Sequence, residues 1–191
     1  MQKLVIATKN AGKAKEMAEV LSGLPYEIVS LADYPESPEV EETGSTFAEN
    51  AIIKATAYAE FTGELTLADD SGLEVDALDG APGVFSSRFA PSDPERNAKL
   101  LDLMRDVPDD RRTARFRCVI AIAEPGDGVH TCEGTIEGLI AREAKGANGF
   151  GYDPIFCIPS LAKHMAELTS TEKNAISHRG QALAKARDLL T

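Results

Sequence analysis

The chain has few cysteines, no long apolar run and no excess of positive charge. Its three cysteines, Cys118, Cys132 and Cys157, lack the spacing of metal-binding pairs, so neither a zinc site nor a disulfide framework is predicted. No apolar stretch approaches the roughly 18 residues that span a bilayer, and the first residues form a strand-like pattern rather than a signal peptide. We therefore expect a cytoplasmic protein without a membrane partner.

The charge balance limits the class of ligand. With 31 acidic and 20 basic side chains, the formal net charge is −11, which disfavours binding of nucleic-acid polymers because they require an extended basic surface. A single nucleotide needs only a few placed cations and a metal ion, so it remains compatible with this composition. The 191 residues, 43% of them hydrophobic, predict a single domain over residues 1–191 that could have two lobes.

The beginning of the chain predicts a strand, a loop and a helix. Residues 3–7 are strand-like, Asn10 is a natural N-cap, and apolar residues then recur with helical spacing. Such a loop presents free backbone N–H groups and the positive end of the helix dipole, which suits a phosphate, and Lys13 lies in the first turn. The spacing matches neither a Walker A loop nor a dinucleotide fingerprint, so an ordinary capped helix is the alternative.

Two adjacent acids in the middle of the chain are candidate metal ligands. Residues 65–68 predict a short strand, and the following Asp69-Asp70-Ser-Gly predicts a turn that presents both acids at the exposed strand end. The alternative is an Asp-rich turn that bonds to its own backbone. A helix is predicted over residues 46–62 and carries Lys54. Glu42 lies just before this helix. It can join the two acids only if its loop folds back; otherwise its side chain is solvated.

The remaining segments set the fold class. Asp93 is predicted to cap a helix that begins at Pro94, and residues 115–123 and 129–140 predict a long β-hairpin. Strand-helix units combined with a hairpin predict an α/β fold with a mixed central sheet flanked by helices.

The last third of the chain contains candidate base-binding residues. Phe150 lies between glycines, so its ring face is available for a planar base to stack upon. Ser177 is a plausible N-cap for a final helix over residues 179–190, which would place His178 and Arg179 at an exposed terminus with donors available. A His-Arg pair on an ordinary surface is the alternative.

Six segments, in this order, closely resemble the inosine triphosphate pyrophosphatase family over nearly the whole chain. They are Thr8-x-Asn10-x-x-Lys13, Glu42-Thr-Gly-x-Thr-Phe-x-Glu-Asn-Ala, Ala-Asp69-Asp70-Ser71-Gly-Leu, Gly80-Ala-Pro-Gly, Gly-Phe150-Gly151-Tyr152-Asp153-Pro and Ser-His178-Arg179-Gly. The match is to the bacterial branch that hydrolyses dITP, ITP and XTP. The resemblance implies an active-site cleft between two lobes and a homodimer.

The resemblance implies hydrolysis between the α and β phosphates, with Mg²⁺ as cofactor. Asp70 would be the catalytic base, and Glu42, Asp70 and Asp69 would hold the metal through oxygen ligands. The implied substrate-binding residues are Thr8, Lys9, Asn10, Ala11, Gly12, Lys13, Lys54, Ser71, Phe150, Gly151, Tyr152, Asp153, Lys173, His178 and Arg179.

Among these residues the resemblance separates two tasks. The helix N-terminus with Lys13, Lys54 and Lys173 would bind the triphosphate tail, whereas Phe150 would stack on the base and Asp153, His178 and Arg179 would contact its edge. Donors aimed at position 6 accept a keto oxygen and disfavour an amino group. Two other functions remain open: a septum-inhibitor type of nucleotide pyrophosphatase acting on other modified nucleotides, and a nucleotide sensor without turnover.

Overall fold

The computed structural model describes all residues from 1 to 191 and contains one seven-stranded sheet in the order β2-β1-β3-β4-β5-β6-β7. The strands are β1 (Lys3–Ile6), β2 (Glu27–Ser30), β3 (Leu65–Val75), β4 (Thr113–Ala123), β5 (Val129–Ile140), β6 (Phe156–Ile158) and β7 (Lys163–His164). Strand β1 pairs in parallel with β2 and β3, whereas β6 pairs antiparallel with β5 and β7. The predicted mixed sheet is therefore confirmed.

Five α-helices accompany the sheet: α1 (Ala11–Leu21), α2 (Phe47–Thr62), α3 (Asp93–Leu103), α4 (Ser170–Ile176) and α5 (His178–Leu189). Asn10 caps α1 by accepting a hydrogen bond from the backbone N–H of Lys13 at 3.0 Å. Thr46 and Glu49 form the predicted capping box of α2. None of the helices combines the length and the apolar character that a membrane crossing requires.

The cap of α3 differs from the prediction. Ser92 is the N-cap, and its hydroxyl oxygen accepts a hydrogen bond from the backbone N–H of Glu95. Asp93 is already the first helical residue, because Ser92 has the extended backbone that an N-cap needs. The Asp93 carboxylate is consequently not used as the cap.

The prediction that a strand ends at Ala68 is wrong. Strand β3 continues through Asp69 and Asp70 to Val75, although the sequence there is rich in turn-forming residues. Strand β1 pairs with β3 at Leu65 to Leu67, so the continuation of β3 beyond Ala68 is supported by its other neighbour, β4, whose ladder hydrogen bonds take the place of a turn. Both acids are thus placed on a strand and not on an exposed turn.

The chain contains two compact units, and each has its own apolar core. The first unit comprises residues 1–70, 118–134 and 179–191, and its core includes Leu4, Ile6, Leu67, Ile120 and Leu183. The second comprises residues 71–117 and 135–178, with a core that includes Leu73, Met104, Phe116, Ile155 and Phe156. The active-site cleft between two lobes stays a prediction.

Candidate active site

Asp69 and Asp70 are neighbours on β3 and acquire different partners. Successive residues of a strand point to opposite faces, so the two carboxylates separate although they are adjacent in the chain. Both are buried, with 1% of Asp69 and 6% of Asp70 exposed. Buried carboxylates require compensation, and the two receive it from different cations.

Asp69 lies between cations from the two ends of the chain. Its Oδ2 is 3.0 Å from Lys13 Nζ and 3.4 Å from Arg179 Nη2, and Arg179 Nη1 donates to Glu16 Oε2 at 2.5 Å. The prediction that His178 and Arg179 are exposed is wrong, because only 4% and 2% of them are accessible. The ion pairs with Asp69 and Glu16 replace the hydration that the Arg179 guanidinium would have on an exposed surface.

Asp70 is linked to Glu42 through a lysine on α2. Lys54 Nζ lies 2.6 Å from Glu42 Oε1 and 3.3 Å from Asp70 Oδ1. The loop before α2 therefore does fold back, the arrangement under which Glu42 joins the acids. Asp70 Oδ2 is buried and makes no hydrogen bond. We call these seven charged residues of the first unit the ion cluster: Lys13, Glu16, Glu42, Lys54, Asp69, Asp70 and Arg179.

The two aspartates differ in proton affinity. Burial raises the pKa of Asp69, but Lys13 and Arg179 outweigh it and hold that pKa below the ordinary carboxyl range. For Asp70, burial raises the pKa above its usual value, and Lys54 and Lys13 offset this only in part. Asp69 is thus an ionised counter-ion at neutral pH, whereas Asp70 is the more basic carboxylate and the better proton acceptor.

A thiol that the sequence analysis gave no role lies beside Asp69. Cys118 Sγ is 4.0 Å from Asp69 Oδ2, and the cysteine is fully buried on β4. Burial, together with the nearby Asp69 charge, raises the pKa of Cys118 to about 12. The group stays a protonated thiol at neutral pH and is therefore unsuited to act as a nucleophile.

The loop between β1 and α1 has the predicted local structure. Thr8 Oγ1 accepts a hydrogen bond from the Asn10 backbone N–H at 3.2 Å, and Ala11 and Gly12 form the first turn of α1. The first N–H groups of a helix have no acceptor within it, so this turn provides donors. Lys9 is exposed, with Nζ 3.9 Å from Glu39 Oε1. A cavity of about 520 Å³ lies beside the loop.

Phe150 and Asp153 meet Lys173 in the second unit. Lys173 Nζ lies 2.5 Å from Asp153 Oδ2 and 4.6 Å from the centroid of the Phe150 ring. The same carboxylate oxygen accepts a hydrogen bond from the Phe150 backbone N–H at 3.1 Å. The resemblance assigns Lys173 to the triphosphate tail, and this role stays a prediction; in the structure Lys173 contacts two residues that are expected to bind the base. We call residues 149–153 the aromatic loop.

Three other candidate residues also belong to the second unit. The His178 ring stacks on Phe116, with centroids 4.7 Å apart and an interplanar angle of 12°. Tyr152 is buried and donates from its hydroxyl to the carbonyl oxygen of Ser86 at 2.7 Å. Ser71 is half-buried on β3. Neither His178 nor Tyr152 presents an exposed polar surface.

The structure contains no group of three or more His, Cys, Asp or Glu side chains arranged to hold a metal ion. Glu42 and Asp70 form a pair through Lys54, whereas Asp69 is engaged by Lys13 and Arg179. Mg²⁺ is commonly held by one or two carboxylates, with phosphates and water as the other ligands. Glu42 and Asp70, which lie on either side of Lys54, therefore fit such an ion, and Asp69 fits it less well.

A comparison with known families covers almost the whole chain. The Ham1 family profile matches residues 4–189. This chain belongs to the Ham1 family. It is 61% identical to a protein of Desulforamulus reducens named dITP/XTP pyrophosphatase, over 98% of this chain and 95% of that protein. The resemblance stated from the six motifs is thus confirmed.

Structures of Ham1 proteins share the fold. The Ham1 protein of Coxiella burnetii is 49% identical and superposes with a TM-score of 0.90, covering 100% of this chain and 98% of the other. The Staphylococcus aureus Ham1 protein is 41% identical with a TM-score of 0.88, covering 99% and 98%. The seven-stranded arrangement is therefore that of the Ham1 family.

Proposed function

We propose that this chain hydrolyses non-standard purine nucleoside triphosphates, namely dITP, ITP and XTP with its deoxy form, to the monophosphate and pyrophosphate. The name of its 61% identical relative supports this proposal. The observation that carries it is Asp70, a buried carboxylate with a raised pKa, one oxygen near Lys54 and the other without a hydrogen bond. The biological role would be removal of deaminated purine nucleotides before polymerases use them.

Asp70 is the proposed general base. Lys54 holds Oδ1, which leaves Oδ2 to accept the proton of a water that attacks the α-phosphorus, while pyrophosphate leaves. A carboxylate with a raised pKa keeps a proton more readily than an ordinary one, which favours general-base catalysis near neutral pH. Lys54 also neutralises part of the charge that accumulates on the phosphates.

The triphosphate tail is assigned to the first unit. Thr8, Asn10 and Lys13 with the backbone N–H groups of Ala11 and Gly12 would bind it, and Lys9 would contribute an outer charge. The ion cluster has four carboxylates and three cationic side chains, which leaves an excess of negative charge. A bound metal cation is therefore needed before the cluster attracts a polyphosphate.

Mg²⁺ is the proposed cofactor, with Glu42 and Asp70 as its protein ligands. When bound it would neutralise phosphate charge and lower the pKa of a bound water. The resemblance implies Asp69 as a third ligand, but its contacts favour the role of counter-ion to Lys13 and Arg179. Arg179 would accordingly order Asp69, in addition to the base contact that the resemblance implies.

The purine base is assigned to the second unit. Phe150 would stack on the ring, and Asp153, Lys173 and His178 would contact its edge, with Ser71, Gly151 and Tyr152 shaping the site. A buried donor left unpaired by the 6-amino group of adenine costs about 1–3 kcal/mol, which is roughly tenfold to over a hundredfold in selectivity. A homodimer and a cytoplasmic location stay predictions.

The test is a coupled assay of pyrophosphate release from ITP, dITP, XTP, GTP and ATP with Mg²⁺. We expect release from the first three, with ATP slower by at least about tenfold in kcat/KM. Equal rates for ATP and ITP, or release of orthophosphate, would contradict the proposal. A septum-inhibitor type of enzyme would prefer other modified nucleotides, and a sensor would bind ITP without releasing pyrophosphate.

A further inference from the structure

Side chains of helix α3 bind both backbone polar groups of Gly151, a residue of the aromatic loop. The Gly151 backbone N–H donates to Asp93 Oδ2 at 2.8 Å, and Asn97 Nδ2 donates to the Gly151 carbonyl oxygen at 3.0 Å. We propose that Asp93 and Asn97 are positioning residues for purine recognition, a role that rests on the proposed function and deepens it. We call these two hydrogen bonds the α3 contact.

The aromatic loop needs such a contact because its backbone is intrinsically free. Phe150 lies between Gly149 and Gly151, whose φ angles of +71° and +62° are in the left-handed region. Glycines impose little restriction on the direction of a ring between them. The Asp153 carboxylate holds the Phe150 N–H, and the α3 contact holds the following peptide N–H. The Phe150 backbone is thereby fixed on both sides.

The arrangement on α3 suits this role. Asp93 and Asn97 are four residues apart and share one face of the helix. Ser92 provides the cap, so the Asp93 carboxylate is available to bind Arg96 through one oxygen and Gly151 through the other. Asn97 Oδ1 is buried without a hydrogen bond, which costs stability. The presence of Asn97 at this position is therefore better explained by its hydrogen bond to Gly151 than by a contribution to the stability of α3.

The α3 contact should affect the base and not the phosphates. All of its residues belong to the second unit, together with Phe150, Asp153 and Lys173, whereas the ion cluster belongs to the first. Loss of the contact would let the Phe150 ring sample other orientations, which weakens stacking in the ground state and the transition state alike. Such a uniform loss raises KM and leaves kcat unchanged.

The experiment measures binding of IMP, which has a base, and of pyrophosphate, which has none, by titration calorimetry with Mg²⁺. Asp93→Ala, Asn97→Ala and the isosteric Asn97→Asp each remove one bond of the α3 contact. Asp93→Asn retains an acceptor oxygen, and Asp102→Ala on the same helix is the matched control, since Asp102 pairs only with exposed Arg105. Thermal unfolding verifies that each variant is folded.

We expect IMP to bind about fivefold more weakly for each bond removed, the equivalent of one ordinary hydrogen bond. Pyrophosphate affinity should stay the same, KM for ITP should rise with kcat unchanged, and Asp93→Asn and Asp102→Ala should match the unsubstituted chain. Unchanged IMP affinity in the first three variants, or an equal loss for IMP and pyrophosphate, would overturn the inference. Absence of ITP turnover in the unsubstituted chain would instead contradict the proposed function, because calorimetry does not depend on turnover.

Discussion

The ion cluster and the aromatic loop hold their functional groups in different ways. The ion cluster consists of charged side chains from three helices, a strand and the loop before α2, which compensate one another's burial at distances of 2.5–3.4 Å. The aromatic loop contains one buried ion pair, Asp153 with Lys173, and is otherwise held by hydrogen bonds of its backbone and of the Tyr152 hydroxyl. Changes in the ion cluster should therefore affect rate and stability, whereas changes at the loop should affect base recognition.

The largest effect expected in this comparison is on catalytic rate. Asp70→Asn should lower kcat by about 10³-fold, because it removes the general base. Stability should change by less than about 1 kcal/mol, since burial already disfavours the ionised Asp70 and the amide has the same shape. Steady-state kinetics and urea unfolding measure the two quantities. A near-normal rate would remove Asp70 from the mechanism.

The neighbouring substitution should affect stability instead. Asp69→Asn leaves Lys13 and Arg179 with one fewer counter-ion and should reduce the free energy of unfolding by about 3 kcal/mol. Urea unfolding provides the measurement, with Asp70→Asn as the matched control on the same strand. If both variants lose the same stability, the distinction between the two aspartates is incorrect.

Lowering the pH should distinguish the roles of Asp69 and Asp70 within the unsubstituted protein. Asp70 must be ionised to accept a proton and its pKa is raised above 3.8, so kcat/KM should fall about tenfold per pH unit below that raised value. Asp69 has a lowered pKa; its stabilisation is complete above the unfolded value of 3.8 and is lost as pH falls through the folded value. Activity should thus disappear at a higher pH than Asp69 stabilisation. Coincident loss in rate and circular-dichroism profiles would contradict this order.

The smallest of the four effects concerns the aromatic loop. Phe150→Ala should raise KM for ITP by about tenfold through loss of stacking, which is worth about 1–3 kcal/mol per base. The Phe150 side chain is half-buried, and its removal leaves the ion cluster intact. We expect kcat and pyrophosphate inhibition to stay unchanged. A fall in kcat without a change in KM would show that the loop contributes to chemistry.

Local sequence signals predicted the local structure well. The Asn10 cap, the Thr46 capping box and the two hairpin strands depend on residues close together in the chain, and the structure contains them. Turn-forming residues after Ala68 gave a wrong strand end, because the sheet neighbours of β3 come from distant segments. Ser92 was missed as a cap because Asp93 beside Pro94 is also a common start.

The sequence predicted which residues belong to the candidate site better than it predicted which of them contact one another. The motifs identified the acids, the lysines and Phe150, but the partner of Asp69 on α5 lies 110 residues away. The α3 contact likewise joins residues 58 and 54 positions apart. No periodicity or spacing reports such contacts, so the pairing of Lys173 with Asp153 and the burial of Arg179 could not be predicted from the sequence.

Turnover of ITP in H₂¹⁸O tests the central claim most directly. Asp70 is proposed to activate a water that attacks the α-phosphorus, so the heavy oxygen should appear in IMP and the released pyrophosphate should remain unlabelled. Mass spectrometry of the two products after a single turnover distinguishes them. Label in pyrophosphate, or in orthophosphate, would mean attack at another phosphorus and would contradict the account.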